Sequence, residues 1–292
     1  MQETKDILKR VRKIEIKTRR MSSQIFSGHY HSAFKGRGMA FSEVREYQYG
    51  DDVRNIDWNV TARFNTPFIK IFEEERELTV MLLIDVSASN MFGTTHSFKS
   101  EVITEIAAVL AFSAIQNNDK VGVIFFSSKV EKFISPAKGR SHILRIIREM
   151  LDFKAEETGT NIEEALRYLT NAIKKKCTAF VLSDFMDKDF KTAIQIANRK
   201  HDLAAIRISD IGEKQLPNMG LIKVKDPETN QQIYIDTSDS RLRDAYQKHF
   251  EKQQLRITDT FKRSGVDTVD VNTGQDYVKP LIKLFKMREN RF

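Results

Sequence analysis

The distribution of apolar and polar positions divides the chain into three segments. Up to about residue 77 the sequence is polar and rich in turn residues, whereas residues 78–210 alternate short apolar runs with amphipathic stretches. The apolar runs have the length of buried strands, and the stretches between them have the periodicity of helices. Residues 211–292 contain fewer apolar runs and more charged positions.

The middle segment predicts strands and helices in alternation. Strands are expected at 78–84, 121–126, 179–182 and 203–208, with a short edge strand over 129–134. Helices are expected at 97–117, 140–151, 161–175 and 189–200. This order predicts an α/β fold with a doubly wound, mostly parallel sheet that carries helices on both faces. Such sheets bind ligands at the carboxyl ends of their strands, near the point where the strand order reverses.

The last segment predicts a β-hairpin insertion and a long helix near 220–264. Pro227 and Asn230 are turn residues between two runs that have the pattern of strands. Gly265 follows the predicted helix directly and is a typical helix cap. A final strand and a final helix are expected at 266–271 and 276–287.

Composition excludes several classes of protein. The chain has 292 residues and one cysteine, Cys177, so an intrachain disulfide framework and a cysteine-rich zinc site are excluded. We interpret Cys177 as a small core residue. No apolar run approaches the ~20 residues that cross a bilayer, and residues 1–20 lack a signal-peptide pattern. We therefore expect a cytoplasmic protein with a reduced thiol.

The net charge of +8 is concentrated at the amino terminus. Residues 1–20 hold eight Lys/Arg and three Asp/Glu in a pattern that predicts an amphipathic basic helix. We interpret this N-terminal helix as lying on the body with a solvated basic face; docking to an acidic partner or to anionic lipid is the alternative. The sequence has no nucleic-acid-binding signature, so no specific nucleic acid is expected as a partner.

Oxygen-bearing side chains follow the predicted strands at one edge of the sheet. Asp85, Ser87 and Ser89 stand at alternate positions in "DVSAS". Thr160 in "TGTNIEEAL" and Asp184 in "VLSDF" belong to loops at the same predicted edge. Carboxylates and hydroxyls are hard ligands that suit Mg²⁺, Mn²⁺ or Ca²⁺ better than zinc or copper. The pattern therefore favours a site for a divalent cation.

Each of these residues also has a purely structural interpretation. Thr160 and Glu163 fit the T-x-x-E capping box that begins many helices. Ser87 or Ser89 is able to bond the local backbone of a turn. Asp184 is placed to cap the helix that follows it.

Taken together, the five residues resemble the metal-ion-dependent adhesion site of the von Willebrand factor A-type domain. That site has the pattern D-x-S-x-S, then a threonine in a G-T-N-I-x-x-A-L segment, then an aspartate at a strand end. The resemblance implies that the five residues bind a divalent cation, Mg²⁺ above all, and that one coordination position takes a carboxylate from a partner protein. Neutral hydroxyl ligands leave the cation much of its charge, which attracts an acidic group. Asn90 departs from the family, which often has methionine at that position.

The stretch "FSEVREYQYGDDVRNIDWNVTAR", residues 41–63, interleaves arginines with carboxylates. We interpret it as a salt-bridged irregular lobe in which Trp58 packs on the body. The alternative is an acid/base pair drawn from Asp51, Asp52 and Asp57. Nearby arginines lower carboxyl pKa values, which suits structural carboxylates better than a general acid.

This stretch also resembles the hallmark of the domain of unknown function 58 family. The pattern G-x-G-x-x-F…R-x-Y-x-x-G-D-D-x-R-x-I-D-W-x-x-T-A-R runs from Gly36 to Arg63, and "FEEERE" at 72–77 continues it. With the A-type domain behind it, the resemblance covers nearly the whole chain. It implies a family-specific segment, 1–77, packed on a von Willebrand factor A-like domain, 78–292.

Members of that family are bacterial or archaeal and are thought to act with an AAA+ ATPase of the MoxR type in the maturation of other proteins. The resemblance therefore implies a non-enzymatic, metal-dependent protein-binding adaptor, whose partner is such an ATPase or its client and offers an acidic residue. A metal-dependent hydrolase and a basic-helix binder of nucleic acid or membrane surfaces are the alternatives. Phosphatases of the haloacid dehalogenase type need D-x-D, and Ser87 stands where the second acid is required. The sequence also lacks a G-x-S-x-G elbow and a Gly-rich P-loop.

Overall fold

The computed structural model describes the chain in these ranges: 11–12, 14–15, 40–73, 78–91, 93, 98–187, 189–225 and 232–289. The chain divides into two compact units. One is Lys35–Glu77, and the other joins Met1–Phe34 to Leu78–Phe292. The predicted packing of the first 77 residues on the body stays a prediction.

The smaller unit contains regular structure where we expected an irregular lobe. Two antiparallel strands, β1 (Ala40–Glu46) and β2 (Phe68–Glu73), enclose a short helix, α1 (Trp58–Phe64). The Asp57 carboxylate caps this helix by accepting hydrogen bonds from backbone N–H groups of its first turn. Strand β1 has charged residues within it and pairs with a segment more than twenty positions later, so its local sequence pattern gives a weak strand signal.

Asp51 and Asp52 of the smaller unit are held in ion pairs with arginines, as the sequence predicts. Both side-chain nitrogens of the Arg45 fork donate to the Asp51 carboxylate, each over 2.9 Å. The hydrogen bond from Arg45 lowers the pKa of Asp51, and the one from Arg54 lowers the pKa of Asp52 to about 2. Groups that remain ionised in this way serve as structural anchors and are poor general acids at neutral pH.

The expectation that Trp58 packs as a buried side chain is wrong. Trp58 is 70 % exposed. The reason is local: Trp58 is the first residue of α1, a two-turn helix that has no buried residue along its length.

The larger unit is built on a six-stranded sheet and a separate two-stranded sheet. Its described strands are β3 (Thr79–Asp85), β4 (Lys120–Phe126), β5 (Val130–Ala137), β6 (Thr178–Ser183), β7 (Asp202–Ser209), β8 (Leu221–Lys225), β9 (Gln232–Asp236) and β10 (Asp267–Asn272). The order in the main sheet is β10-β7-β6-β3-β4-β5, and every neighbouring pair is parallel except β4 and β5. The mostly parallel sheet is confirmed, and the predicted short edge strand is present as β5. The structure adds that β5 runs antiparallel to β4.

Helices cover both faces of the main sheet. They are α2 (Lys99–Gln116), α3 (Arg140–Asp152), α4 (Ile162–Ala172), α5 (Lys191–Lys200), α6 (Ser240–Ser264) and α7 (Val278–Glu289). Side chains of α2, α3 and α7 form one core with alternate residues of the strands. Side chains of α4, α5 and α6 form a second core on the opposite face. The doubly wound arrangement predicted from the alternation of elements is confirmed.

The predicted cap of the long helix is present, and two paired strands precede that helix. Gly265 follows α6 with a φ of 64° and donates its N–H to carbonyls of the last helical turn, as a left-handed cap does. Strands β8 and β9 pair antiparallel. The predicted turn residues Pro227 and Asn230 lie outside the described residues.

The described part of the predicted basic helix packs inward. Val11 is buried in the core that also contains the side chains of α2, and Ile14 packs against the same core. Glu15 forms an ion pair with Arg140 at the start of α3. These contacts agree with a helix laid on the body, and the remainder of that helix lies outside the described residues. Among the described helices, none has the length and the apolar content that a membrane crossing requires.

Cys177 and His201 form a buried polar pair at the amino ends of β6 and β7. The Cys177 Sγ lies 3.2 Å from the His201 Nδ1. Burial raises the pKa of the Cys177 thiol to about 12 and lowers the pKa of the His201 imidazole to about 4. The interpretation of Cys177 as a core residue is confirmed, since a thiol with this pKa is a poor nucleophile.

Because Trp58 is exposed, Trp58→Ala is expected to change the free energy of unfolding by less than about 1 kcal/mol. Ile69→Ala in the same unit is the control, because Ile69 is buried and its truncation should cost about 2–5 kcal/mol. Thermal denaturation followed by circular dichroism measures both. A large loss of stability in Trp58→Ala would contradict the exposed position.

The buried imidazole of His201 predicts a loss of stability in acid. Its folded-state pKa of about 4 lies below the ordinary value, so the unfolded chain binds the extra proton first as the pH falls. The contribution is present above about pH 6.5 and decreases by about 3 kcal/mol as the pH approaches 4. Urea denaturation at several pH values should show a shallower pH dependence for His201→Gln than for the wild type. The exposed His249→Gln variant should keep the wild-type slope, and equal slopes for all three proteins would contradict the assignment.

Candidate functional site

The strand order of the main sheet reverses at β3. Strand β4 lies on one side of β3 and β6 on the other, and all three strands run parallel. A crevice forms at the carboxyl ends of the strands at such a switch point. Asp85 ends β3, and Asp184 directly follows β6. The structure therefore places both predicted carboxylates at this crevice.

The Asp85 carboxylate is buried and fixed at both oxygens. Its Oδ1 accepts a hydrogen bond of 2.9 Å from the backbone N–H of Ser87. Its Oδ2 accepts one of 2.5 Å from the hydroxyl of Ser183, the last residue of β6. The Ser183 hydroxyl also accepts a hydrogen bond from the Phe185 N–H. Adjacent strands are thus joined through the side chain of Asp85.

Two carboxylates meet in this crevice, and the effect is visible in the pKa of Asp85. Burial raises that pKa to about 6, and the negative charge of Asp184 acts in the same direction. The hydrogen bonds from Ser183 and Ser87 offset part of this shift. A site in which a carboxylate is disfavoured by burial and by a second carboxylate is stabilised by a positive charge.

The two serine hydroxyls of the motif lie next to each other. Ser87 Oγ and Ser89 Oγ are 3.0 Å apart and are joined by a hydrogen bond. The Asn90 side chain holds the turn, since its Nδ2 donates to the Asp85 carbonyl over 3.1 Å and to the Ser87 hydroxyl over 3.3 Å. In octahedral coordination with metal–oxygen distances of about 2.1 Å, neighbouring ligand oxygens are separated by about 3.0 Å. The hydroxyl pair therefore fits two adjacent positions around Mg²⁺.

The loop that carries Thr160 makes one backbone hydrogen bond to the same turn and one to the residue that follows β4. The Thr158 carbonyl accepts a hydrogen bond of 3.0 Å from the Ala88 N–H. The Asn161 N–H donates to the Ser127 carbonyl over 2.8 Å. Thr160, between these two contacts, is half-buried. Within the described residues, no hydrogen bond joins Thr160 to the carboxylate or hydroxyls of the motif.

The helix cap at this loop is Asn161, so the capping box predicted from Thr160 and Glu163 is wrong. The Asn161 side chain accepts a hydrogen bond of 3.0 Å from the Glu164 N–H. Helix α4 thus begins one residue later than the capping-box interpretation requires. The hydroxyl of Thr160 is consequently not used to cap the helix.

Asp184 is also not a helix cap. Its Oδ1 accepts a hydrogen bond of 3.1 Å from the Met186 N–H, which closes a short local turn. Helix α5 begins only at Lys191. The other oxygen of Asp184, Oδ2, accepts a hydrogen bond of 2.8 Å from the Lys99 ammonium.

Lys99 is the residue of this site that sequence reasoning missed. It is fully buried, and its Nζ also lies 2.6 Å from the Glu213 Oε1. The signal was present in the sequence, because Lys99 begins a helix whose following residues are mostly apolar. A cation is disfavoured in the first turn of a helix, so a lysine there points to a specific anionic partner.

A cavity of about 280 Å³ adjoins the motif. Asp85, Ser87 and Asn90 are among its polar lining residues. Its remaining walls are mainly apolar and include Ile84, Ile103, Phe125, Met150 and Phe153. The first two motif residues are therefore in contact with free space.

The donor set fits a hard divalent cation that is bound largely by hydroxyls. Among the described residues, no three His, Cys, Asp or Glu side chains gather in a way that could hold a metal. A cation in this crevice would therefore combine the Asp85 and Asp184 charges with neutral oxygens of Ser87, Ser89 and Thr160. That composition is typical of Mg²⁺, Mn²⁺ or Ca²⁺ and excludes the soft-ligand sites of zinc and copper.

Comparison with solved structures agrees with the fold. An aerotolerance-related membrane protein from Bacteroides fragilis is 14% identical, with a TM-score of 0.51 over 74% of this chain and 100% of that chain. The VWA domain of SpRpn10 is 9% identical, with a TM-score of 0.41 over 73% of this chain and 95% of that chain. The likeness to the Bacteroides fragilis protein agrees with the mixed α/β architecture of this chain, in which helices flank a mostly parallel central sheet.

Comparison with sequences identifies the family. An uncharacterized protein of Mycobacterium tuberculosis is 25% identical over 284 residues, which is 95% of this chain and 88% of that protein. The uncharacterized protein YeaD of Bacillus subtilis is 28% identical over 110 residues, which is 37% of this chain and 25% of that protein. Residues 43–256 match the family described as "Protein of unknown function DUF58". This match extends over both units, and the chain belongs to the DUF58 family.

Proposed function

We propose that this protein is a non-enzymatic, metal-dependent adaptor of the cytoplasm that binds a protein partner through a divalent cation. The observation that carries the proposal is the pair of hydroxyls on Ser87 and Ser89, 3.0 Å apart and next to the buried Asp85 carboxylate. Three hard oxygens in one turn at the switch point of the sheet form a ready set of ligands for Mg²⁺. Mn²⁺ and Ca²⁺ suit the same ligand chemistry.

The candidate ligands fall into two groups, charged carboxylates and neutral hydroxyls. Asp85 and Asp184 supply negative charge, and each carboxylate is held in place by backbone N–H groups. Ser87, Ser89 and Thr160 would supply neutral oxygens. The bound cation would provide a positive centre with an open coordination position for a carboxylate of the partner. Because hydroxyl ligands are neutral, the cation would keep much of its positive charge, and this charge would give the interaction its preference for an acidic residue.

Outside the crevice, the chemistry of two acids, the cysteine and one histidine supports a binding role over a catalytic one. The acids Asp51 and Asp52 are paired with arginines and have lowered pKa values. The Cys177 thiol has a pKa of about 12 and the His201 imidazole a pKa of about 4. These groups are poorly suited to nucleophilic or general acid–base chemistry near pH 7.

The fold is consistent with a role in protein interaction. The identity of the partner is a further element of the proposal. The family resemblance implies an AAA+ ATPase of the MoxR type, and we propose that this ATPase or one of its clients offers the acidic residue. The adaptor would then bring the client and the ATPase together during maturation of a protein complex.

Asp85→Asn is expected to abolish Mg²⁺-dependent capture of the partner while keeping the fold. The amide has the size of the carboxylate but lacks its charge, and a divalent cation requires that charge. The measurement is a pull-down from extract of the native cell, with Mg²⁺ or with EDTA, followed by identification of the captured proteins. Asp152→Asn is the matched control, because Asp152 is an exposed carboxylate at the end of α3 and should leave capture unchanged. Capture that is equal for Asp85→Asn and the wild type, or that is insensitive to EDTA, would remove the proposal.

Thr160→Val is expected to weaken Mg²⁺ binding by about tenfold or more with little change in stability. Valine has the shape of threonine without the hydroxyl, and Thr160 does not cap α4. Asn161→Ala gives the opposite result, because loss of the cap typically costs about 1 kcal/mol of stability without removing a ligand. Isothermal titration with Mg²⁺ and thermal denaturation of both variants separate the two effects. Unchanged Mg²⁺ affinity in Thr160→Val would exclude Thr160 from the ligand set.

A further inference from the structure

Lys99 occupies a position that is physically unfavourable for a cation. Its side chain is fully buried, and it is the first residue of α2. The amino end of a helix carries partial positive charge, and transfer of an ammonium from water into the interior costs several kcal/mol. An apolar side chain of similar length would fill the same space without these costs. The charge of Lys99 therefore requires a reason beyond packing.

Two carboxylates offset this cost. The Lys99 Nζ lies 2.8 Å from the Asp184 Oδ2 and 2.6 Å from the Glu213 Oε1. Both distances are close to those of charge-assisted hydrogen bonds between an ammonium and a carboxylate. The side chain is thus an ammonium ion shared between a candidate ligand of the cation and a second acid.

The ammonium and a divalent cation would compete for the same carboxylate. A cation ligated by the Asp184 Oδ2 would lie within about 5 Å of the Lys99 Nζ, given a metal–oxygen distance of about 2.1 Å. Two positive charges at that distance repel strongly in a protein interior. Without a divalent cation, the ammonium supplies the positive charge that the paired acids of the crevice need.

We propose that the Lys99 ammonium competes with divalent cations for the Asp184 carboxylate and thereby lowers the affinity of the site for these cations. The inference rests on the proposed cation site. In the ion-free state the ammonium neutralises Asp184, and in the ion-bound state Glu213 becomes its main partner. The affinity of the site is thereby lower than its ligands alone would give, and occupancy responds to the concentration of free cation.

Glu213 connects this exchange to the elements that follow β7. Its Oε2 accepts a hydrogen bond of 3.0 Å from the Asp210 N–H, and its carbonyl accepts one of 3.1 Å from the hydroxyl of Tyr246 in α6. Transfer of the ammonium from Asp184 toward Glu213 would change the charge next to these contacts. The Glu213 side chain is thus held by the turn after β7, and its backbone contacts the long helix α6.

The test compares cation binding to the purified full chain with and without the ammonium. Lys99→Met removes the charge and keeps the length, so Mn²⁺ or Mg²⁺ affinity measured by isothermal titration should rise at least tenfold. Without added cation the variant should melt at a lower temperature than the wild type, and saturating Mg²⁺ should raise its melting temperature more than it raises that of the wild type. Lys129→Met is the matched control, because Lys129 pairs with the exposed Glu156. It should leave cation affinity unchanged.

If Lys99→Met does not fold, the double variant Lys99→Met/Glu213→Gln removes the ammonium and its second partner together and leaves no new net charge. It should also bind cation more tightly than the wild type. Unchanged or weaker affinity in a folded variant without the ammonium overturns the inference, and so does a failure of wild type and variant alike to bind any divalent cation.

The experiments distinguish a failure of the Lys99 inference from a failure of the proposed adaptor function. Mg²⁺-dependent partner capture by the wild type, combined with equal cation affinity for the wild type and Lys99→Met, overturns the inference alone. Tighter cation binding by Lys99→Met than by the wild type, combined with EDTA-insensitive capture by the wild type, supports the inference and overturns the adaptor proposal.

Discussion

The hydrogen bond of 2.5 Å from the Ser183 hydroxyl to the Asp85 carboxylate joins the carboxyl ends of the two central strands. Parallel pairing alone brings those ends together, but it does not fix the direction of the side chains beyond them. The Ser87 N–H holds the other oxygen of the carboxylate, and Asn90 holds the turn that follows. The positions of the motif hydroxyls depend on this arrangement.

A buried basic side chain lies at each end of the main sheet, and the two have different roles. At the amino ends, Arg288 of α7 forms ion pairs with Asp202 at the start of β7 and with Asp267 at the start of β10. Those acids begin adjacent strands, so this network joins elements of the fold. At the carboxyl ends, Lys99 pairs with Asp184, which stands in the crevice. The buried ion pairs of Arg288 thus connect two strands, whereas the buried ion pair of Lys99 engages a candidate ligand of the binding site.

Periodicity and turn residues were sufficient to predict the strands and helices of the larger unit, because each has a local signal. The three oxygen-bearing residues of "DVSAS" lie within a single turn. Their clustering is therefore also a local feature, and the sequence predicts it. The partners of Lys99 lie 85 and 114 positions away, and no local pattern carries that information. Strand β1 depends in the same way on pairing with β2. The choice of Asn161 over Thr160 as the cap is a shift of one residue, which sequence patterns resolve poorly.

The burial of Cys177 at the start of β6 gives the molecule an internal probe. The chain has one cysteine, and with a pKa of about 12 its sulfur reacts with an alkylating reagent only when the sheet opens and water reaches it. The rate of thiol modification therefore reports how often the central strands separate. Since β6 ends at Ser183, beside the candidate site, a bound cation that slows this opening would also slow the modification.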